Sequence, residues 1–556
     1  MDYVLHVLVM VSLYAILASS FNLLIGYAGL FALSHAAFFG VGAYATAILA
    51  AKYGITFPWP LLAGVVVTAV LGIVIALPAL RIGGDYLVIV TLALQIIVTA
   101  VLLNWTDLTG GTDGIRAIPR IEMFGVKLDT PGRFLPLALA AAAACFWIAW
   151  RLGASPFGRA LKAMRENEAA TQAVGKNIVA MKLSVFAIAA ALASVAGSLY
   201  AHYVTFVSAE GFTVELTIYL LAMVIVGGTG NLVGSLVGAV ILAVLPELLK
   251  FIDMPSDIAD KVRQMLYGLL LIVMLRLRPQ GLLPESASAH HYRAPPERPP
   301  VDTPVAAAAL EGNGLERHFG GITAVAGLDI TIEPGRITGL IGPNGAGKTT
   351  AFNLLTGFLQ PDRGEVRYRG RSLNGLKPHQ IVDRGVARSF QDLKLFTALT
   401  VLENVLVALP RQRGDHLAFV YFTPWLVRRE ERDNLARAMA ILEFVGLDAR
   451  AGDLAADLSF AEEKLLVVAR LLATGAEVLL FDEPLSGLAP NALAKVLPLF
   501  KRLAQSGRTL CIIEHNLDVI RELCARVVFL DEGRKLAEGT SEQLMRDPEL
   551  SERYFK

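Results

Sequence analysis

From the first residues to about residue 280 the chain runs in long apolar stretches separated by short polar ones, and from about residue 310 it turns to the mixed short periods of a water-solvated domain. A hydrocarbon core of about 30 Å takes about 20 mostly apolar residues per helix. Stretches near 4–25, 28–50, 61–80, 86–104, 134–151, 183–204, 216–229, 234–251 and 263–277 qualify, which predicts about nine spans. Several are interrupted, at Gly26, Gly29, Pro78, Gly227, Gly228 and Gly230. Two physical readings stand side by side for these breaks: close helix packing over small residues, or unwound backbone lining a cavity. The opening run MDYVLHVLVMVSLYAILASSFNLL has no Lys or Arg before it, so it reads as a membrane helix rather than a signal peptide.

Composition adds that the two parts are solvated differently. Of 556 residues 54% are hydrophobic and 18% charged, and the charges are concentrated in the second part. A net charge of +1 supplies no basic field, which weakens a nucleic-acid reading, and the expected spans exclude a soluble ATPase acting on nucleic acid. Cys145, Cys511 and Cys524 offer neither a disulfide framework nor metal-ligand spacing, as expected of a reduced, intracellular second half. Orientation follows from the basic residues. Arg159, Lys162, Arg165, Lys176 and Lys182 put the 153–182 segment on the cytoplasmic side, opposite the loop with Asp253, Asp257 and Asp260. Nine spans then leave the N-terminus outside and Arg81, Arg276 and Arg278 inside, so the second domain is expected in the cytoplasm. Between the parts, residues 284–309 are rich in Pro and Ala, the composition of a semi-stiff linker, in which His290 and His291 read as solvated.

Chemistry enters at ITGLIGPNGAGKTTAFNLL, which reads as a buried strand, a glycine-rich turn and a helix opening near Lys348. Gly342, Gly345 and Gly347, with Asn344 and Ala346 between them, let backbone N–H groups close on phosphates. Lys348 reaches the terminal phosphates, and Thr349 and Thr350 open the helix, Thr349 as a ligand for Mg²⁺. Further on, EVLLFDEP ends a buried strand in two acids: Asp482 suits the shell of Mg²⁺ and Glu483 the position of a general base. His515, in TLCIIEHN, follows another buried strand and is a candidate for the γ-phosphate. ATP and Mg²⁺ are the expected cofactors. The expected fold is an α-helical polytopic membrane domain over 1–283, the linker over 284–309, and an α/β P-loop NTPase domain with a helical subdomain over 310–556.

The order P-loop, Gln391 in ARSFQDLKLF, Leu458–Glu462 (LSFAE), DEP, SGLAP and EHN resembles the nucleotide-binding domain of ABC transporters. FGGITAVAGLDITIEPGRITGLIGPNGAGKTTAFNLLTGFLQPDRGEV and LFTALTVLENVLVAL make it similar to an ATPase of the branched-chain amino acid importers. The resemblance implies that Gln391 senses Mg²⁺ and the permease, Glu483 is the catalytic base, His515 the switch histidine, Gly487 and Leu488 part of the D-loop, and Phe319 the residue stacked on adenine. It further implies that Ser459 acts on ATP held by a partner domain. The family signature, LSGGQ or LSYGQ, is altered here at Ala461 and Glu462. An added methyl and a negative charge beside a polyanion disfavour closure, so two unequal ATP sites are expected.

The N-terminal half resembles the permease of the same importers, through NLLIGYAGLFALSHAAFFGVGAY, NWTDLTGGTDGI, SPFGRALKAMRENEAATQAVG, GGTGNLVGSLVGAVIL and LRLRPQGLL. By that resemblance the chain is a permease and ATPase fused, resident in the bacterial cytoplasmic membrane and importing branched-chain or related neutral amino acids. The expected partners are a second permease, a second ATPase and a periplasmic binding protein. The altered signature favours a hetero-assembly over a homodimer. The 153–182 segment is the expected coupling element. Amides, urea or other small zwitterions are the alternative cargo, and the lack of an ionisable residue mid-span as an obvious substrate partner fits a neutral or zwitterionic solute. An exporter half is the rival architecture, opposed by cytoplasmic loops of about 30 residues or fewer, too short for long intracellular helices. A membrane-anchored nucleotide sensor with little turnover is the rival class, opposed by intact Lys348, Asp482, Glu483 and His515.

Overall fold

The computed structural model describes residues 1–80, 86–123, 125–249, 256–285, 301 and 308–546. Arg81, Asp253, His290, His291 and most of the expected linker lie outside them. The chain divides into two units, one of Met1–Arg165 and Ile178–Ser286, the other of Glu166–Asn177 and Ala287–Lys556.

Each of the nine apolar stretches carries a helix in the first unit. Asp2–Tyr27, Trp59–Pro78, Tyr86–Asn104, Pro131–Gly153 and Ile178–Val204 have the length and hydropathy to cross a bilayer, and Val214–Gly227 and Leu232–Glu247 are shorter apolar helices. His35–Ala47 and Ser256–Leu277 complete the set. Around the break before His35, polar side chains from other helices accept from backbone N–H groups. Thr91 Oγ1 accepts from Leu33 at 2.9 Å, Thr217 Oγ1 from Ala36 at 3.0 Å and Gln95 Oε1 from Ala37 at 2.7 Å. In lipid each of these groups is costly to leave unpaired, which explains polar residues inside otherwise apolar helices.

Other breaks resolve into close packing. A Cβ on Gly238 would meet the Met223 carbonyl oxygen at 1.9 Å, so the two short helices touch backbone to backbone. Asn22 ties the first helix to the 227–235 turn: its Nδ2 donates to the Asn231 carbonyl (2.9 Å) and Ser235 Oγ (2.6 Å), and its Oδ1 accepts from Gly230 N–H (2.9 Å). His6, Glu215 and Glu247, far apart in sequence and each near a helix end, line one cavity of about 760 Å³ with Tyr14, Tyr219 and Tyr267.

The second unit holds two sheets. The larger has the order Val386–Arg388, Val478–Asp482, Thr509–Ile513, Ile337–Ile341, Arg526–Asp531, Arg534–Gly539, all parallel except the last strand. Four of these strands are apolar runs buried on both faces, as parallel strands between covering layers must be. A four-stranded antiparallel sheet, including Leu310–Phe319 and Ile322–Ile332, packs its apolar face onto the same core of Leu340, Phe352, Leu355, Leu480 and Val528. Helices Val401–Ala408, Pro424–Val445 and Phe460–Ala473 form the helical part.

Candidate active site

The register of the large sheet sets the carboxyl ends of its central strands side by side: Asp482 is paired with Ile513, and Ile513 with Leu340. The glycine loop leaving Ile341, the acids at 482 and 483 and the Glu514–His515 pair therefore emerge along one edge, where open α/β sheets bind ligands.

Backbone crowding explains the glycines of the loop. Gly342 has φ +152° and a Cβ there would lie 2.0 Å from the Leu530 carbonyl oxygen; Gly347 has φ +95° and would meet the Ala324 carbonyl oxygen at 2.4 Å. The helix Lys348–Leu355 starts immediately after, so its first N–H groups face the loop. Lys348 is buried, and its ammonium donates to the carbonyls of Gly342 (2.7 Å) and Pro343 (2.9 Å) at the loop's mouth. Burial pulls its pKa down, while Glu483 and Asp482 push it back up. Asn344, Gly345 and Thr349 are exposed and Thr350 half-buried; Ala346 packs inward, with its N–H on the Pro343 carbonyl at 3.2 Å. Phe319 is 44% exposed at the end of a hairpin whose other strand carries Ala324. The Arg317 guanidinium lies 5.2 Å from its ring.

Three residues singled out from the sequence meet at one oxygen. Glu483 Oε1 accepts from Gln391 Nε2 at 3.0 Å and lies 3.1 Å from His515 Nε2. The Glu483 backbone has φ +51°, an uncommon conformation for a side-chain-bearing residue. It is held there by its N–H on the Ile513 carbonyl (3.0 Å) and by Lys464 Nζ donating to its own carbonyl (2.6 Å).

Asp482 and Arg388 form an ion pair at 3.3 Å in which both side chains are 1% exposed. Asp482 N–H donates to Ser389 Oγ at 2.9 Å, and Arg388 Nε donates to the Ser389 carbonyl at 2.9 Å. Burial pushes the Asp482 carboxyl up in pKa and Arg388 draws it back. The guanidinium is pushed down to about 10 by burial, against the pull of Asp482, and is therefore charged at neutral pH. Glu514 is also buried and accepts from Leu485 N–H at 2.7 Å, with its carboxyl raised to about 7 by burial. Sequence reading missed Arg388, Lys464 and Glu514. The available signals were a charge inside the apolar strand of VARSF and an acid directly before His515.

Ser459 is the N-cap of Phe460–Ala473 in a capping box with Glu462. Both its N–H (2.8 Å) and its hydroxyl (2.7 Å) donate to Glu462 Oε2, and Arg450 Nη1 donates to Glu462 Oε1 at 3.1 Å. The acid expected to repel a partner's nucleotide is thus paired with a cation, while the Ser459 hydroxyl is committed to its own helix.

The segment Glu166–Asn177, which lies between membrane helices in sequence, is built into this unit. Glu166 accepts from Ala398 N–H (3.1 and 3.2 Å) and from Thr397 Oγ1 (3.0 Å), a few residues after Gln391. Lys176 Nζ donates to Asp415 Oδ2 at 2.6 Å and to the Leu409 carbonyl at 3.1 Å.

The donors near the loop are oxygens, the Thr349 hydroxyl and the Asp482 carboxylate, with the Gln391 amide beside them. Such a set fits Mg²⁺, a hard cation that keeps waters and phosphate oxygens in its shell rather than an all-protein cage.

Residues 325–486 match the ABC transporter family, and residues 3–275 match the family described as the permease component of branched-chain amino acid transport systems. The branched-chain amino acid transport ATP-binding protein BraF of Pseudomonas aeruginosa is 38% identical over 248 residues, 44% of this chain and 97% of that protein. LivG of Escherichia coli is 37% identical over 247 residues, with the same coverage of 44% and 97%. The permease LivM of Salmonella typhimurium is 37% identical over 298 residues, 50% of this chain and 68% of that protein. The chain belongs to the branched-chain amino acid family of ABC transporters, with a membrane permease region followed by an ATP-hydrolysing cassette.

Proposed function

We propose that this chain is the fused permease and ATPase of an importer that moves branched-chain or related neutral amino acids across a bacterial cytoplasmic membrane. The observation that carries the ATP-driven part is the convergence of Gln391 and His515 on Glu483 beside the Lys348 loop. In this reading Gly342, Asn344, Gly345, Ala346 and Gly347 cradle the phosphates, and Lys348 turns from its loop carbonyls to the terminal phosphates. Glu483 takes the proton of the attacking water. His515 holds the γ-phosphate, and Phe319 stacks on adenine. Thr349, Gln391 and Asp482 would hold Mg²⁺, which supplies charge neutralisation at the β- and γ-phosphates.

ATP moves a permease only by binding the closed pair of cassettes more tightly than the open pair. Two cassettes are therefore needed, and Glu166 on Ala398 is the contact through which segment 166–177 follows the cassette. A second permease, a second ATPase and a periplasmic binding protein complete the assembly. Because the Ser459 hydroxyl is tied to Glu462, the ATP site that uses it turns over slowly, while the site using Lys348 and Glu483 stays active against a regular partner signature. Vanadate trapping resolved by P-loop is expected to label the Lys348 site in preference; equal trapping at both sites would remove the asymmetry.

The substrate reading is supported by the relatives' transport of branched-chain amino acids. The 760 Å³ cavity is also of a size for a small solute. Thermal-shift screening of the co-purified binding protein tests it: leucine, isoleucine or valine should raise the melting temperature. Stabilisation by urea or amides alone would transfer the chain to that cargo.

A further inference from the structure

Two buried charges beside Glu483 have no part in the nucleotide contacts described above. Lys464, in the second turn of Phe460–Ala473, is 6% exposed, and Glu514, directly after the strand Thr509–Ile513, is 1% exposed. Charges this deep are costly unless they are bonded. Both are bonded to the backbone of one turn. Lys464 Nζ donates to the Glu483 carbonyl at 2.6 Å, and Glu514 Oε1 accepts from Leu485 N–H at 2.7 Å. Between those two residues stands Pro484, which has no N–H with which to close the turn from within. The turn is therefore gripped on either side of the proline, by a cation at its oxygen and by a carboxylate at its hydrogen.

Glu483 needs such a grip. A φ of +51° is costly for a residue with a side chain and persists only where the surroundings over-determine it. From that conformation Oε1 lies 3.0 Å from Gln391 Nε2 and 3.1 Å from His515 Nε2. Relaxation of φ to a negative value would swing the Cα–Cβ bond and carry the carboxylate away from both. The two arms of the grip stand on different parts of the domain. Lys464 belongs to the helix that Ser459 caps, and Glu514 to the edge of the large sheet. At the start of that helix Phe460 packs against the chain beyond the turn: a Cβ on Gly487 would lie 3.1 Å from its ring. Burial pulls the Lys464 pKa down, and the acids facing it, Glu514, Glu483 and Asp482, raise it again.

We propose that Lys464 and Glu514 are positioning residues for ATP hydrolysis, a backbone clamp on the 483–485 turn that holds the Glu483 carboxylate where Gln391 and His515 meet. The inference rests on the proposed role of Glu483 as general base. Both side chains act through the backbone of the turn, and the clamp ties the Ser459-capped helix to the base.

Steady-state ATP hydrolysis by the complete assembly tests it. Lys464→Met removes the donor and should lower kcat about ten- to a hundredfold, the range for loss of a hydrogen bond to a charged group. KM for ATP should be nearly unchanged, because Lys348 and the glycine loop are untouched. Lys464→Arg, which keeps a cationic donor, should recover most of the rate. Glu514→Met should also lower kcat, and Glu514→Gln, which keeps an acceptor for Leu485, should lower it less. Placing Lys464→Met on a Glu483→Gln background separates positioning from general damage: with the base gone, the second change should cost little more. A parental kcat in Lys464→Met or in Glu514→Met would overturn the clamp. So would a loss from Lys464→Met that is as large on Glu483→Gln as on the parent. Glu483→Gln alone reads the base assignment separately, since parental hydrolysis there removes the base whatever happens at 464. Lys464→Gln, neutral and one bond shorter, carries the same comparisons if Lys464→Met does not assemble.

Discussion

Glu483→Gln is expected to slow ATP hydrolysis by about 10²- to 10⁴-fold, the range for loss of a positioned general base, while ATP affinity stays nearly unchanged. The substitution is conservative in shape. Glutamine keeps an oxygen to accept from Gln391 and retains the backbone contacts that hold φ at +51°, but it cannot take a proton at neutral pH. Lys348 and the glycine loop, which make the nucleotide contacts, are untouched. The check is single-turnover hydrolysis beside equilibrium binding of a fluorescent ATP analogue, in the complete assembly. If hydrolysis or solute uptake survived at the parental rate, Glu483 would lose the role of base.

The second large effect is on stability. Arg388→Met would leave Asp482, 1% exposed, without its guanidinium partner. Breaking a buried ion pair from one side costs about 3 to 5 kcal/mol, because the remaining charge is neither solvated nor paired. The cassette's melting transition in the full-length protein should fall accordingly, and Mg²⁺-dependent activity should be lost with it. Removing both charges, as Arg388→Met with Asp482→Asn, should recover much of the stability but none of the activity, since replacing both partners avoids the stranded charge. A single variant that melts with the parent would mean the pair contributes nothing. Arg388→Lys should fall between the two: it keeps the charge but loses the geometry that lets one side chain bond Asp482 and the Ser389 carbonyl together.

The nucleotide loop was legible because its chemistry is local. A glycine turn, a lysine and a hydroxyl within a few residues need one conformation to work, and a strand on one side and a helix on the other complete it. The acids after VLLF were legible for the same reason: a buried strand has to end before charge begins. Arg388 was not, because its value depends on which strand neighbours it. Only the parallel pairing of Val386–Arg388 with Val478–Leu480 brings it beneath Asp482. Glu462 was legible as a departure from pattern but not in its consequence, since its pairing with Arg450 spans a turn that sequence alone does not orient. In the membrane half, the helices follow from hydropathy. The cavity that gathers His6, Glu215 and Glu247 does not, for it arises from the packing of helices distant in sequence.

Lys176 reaches Asp415 across 239 positions of chain. At a synthesis rate of about 5–20 residues per second, roughly 12 to 48 s pass between the emergence of the lysine from the ribosome and the arrival of its partner. For that interval the stretch beginning at Glu166 has no scaffold, although the hydrophobic helices on either side of it can already be inserting. Biogenesis of this polypeptide therefore runs in an interleaved order, in which the early-made stretch waits for a later-made domain. Truncation before residue 397 should release a product whose interior loop is a ready target for proteases.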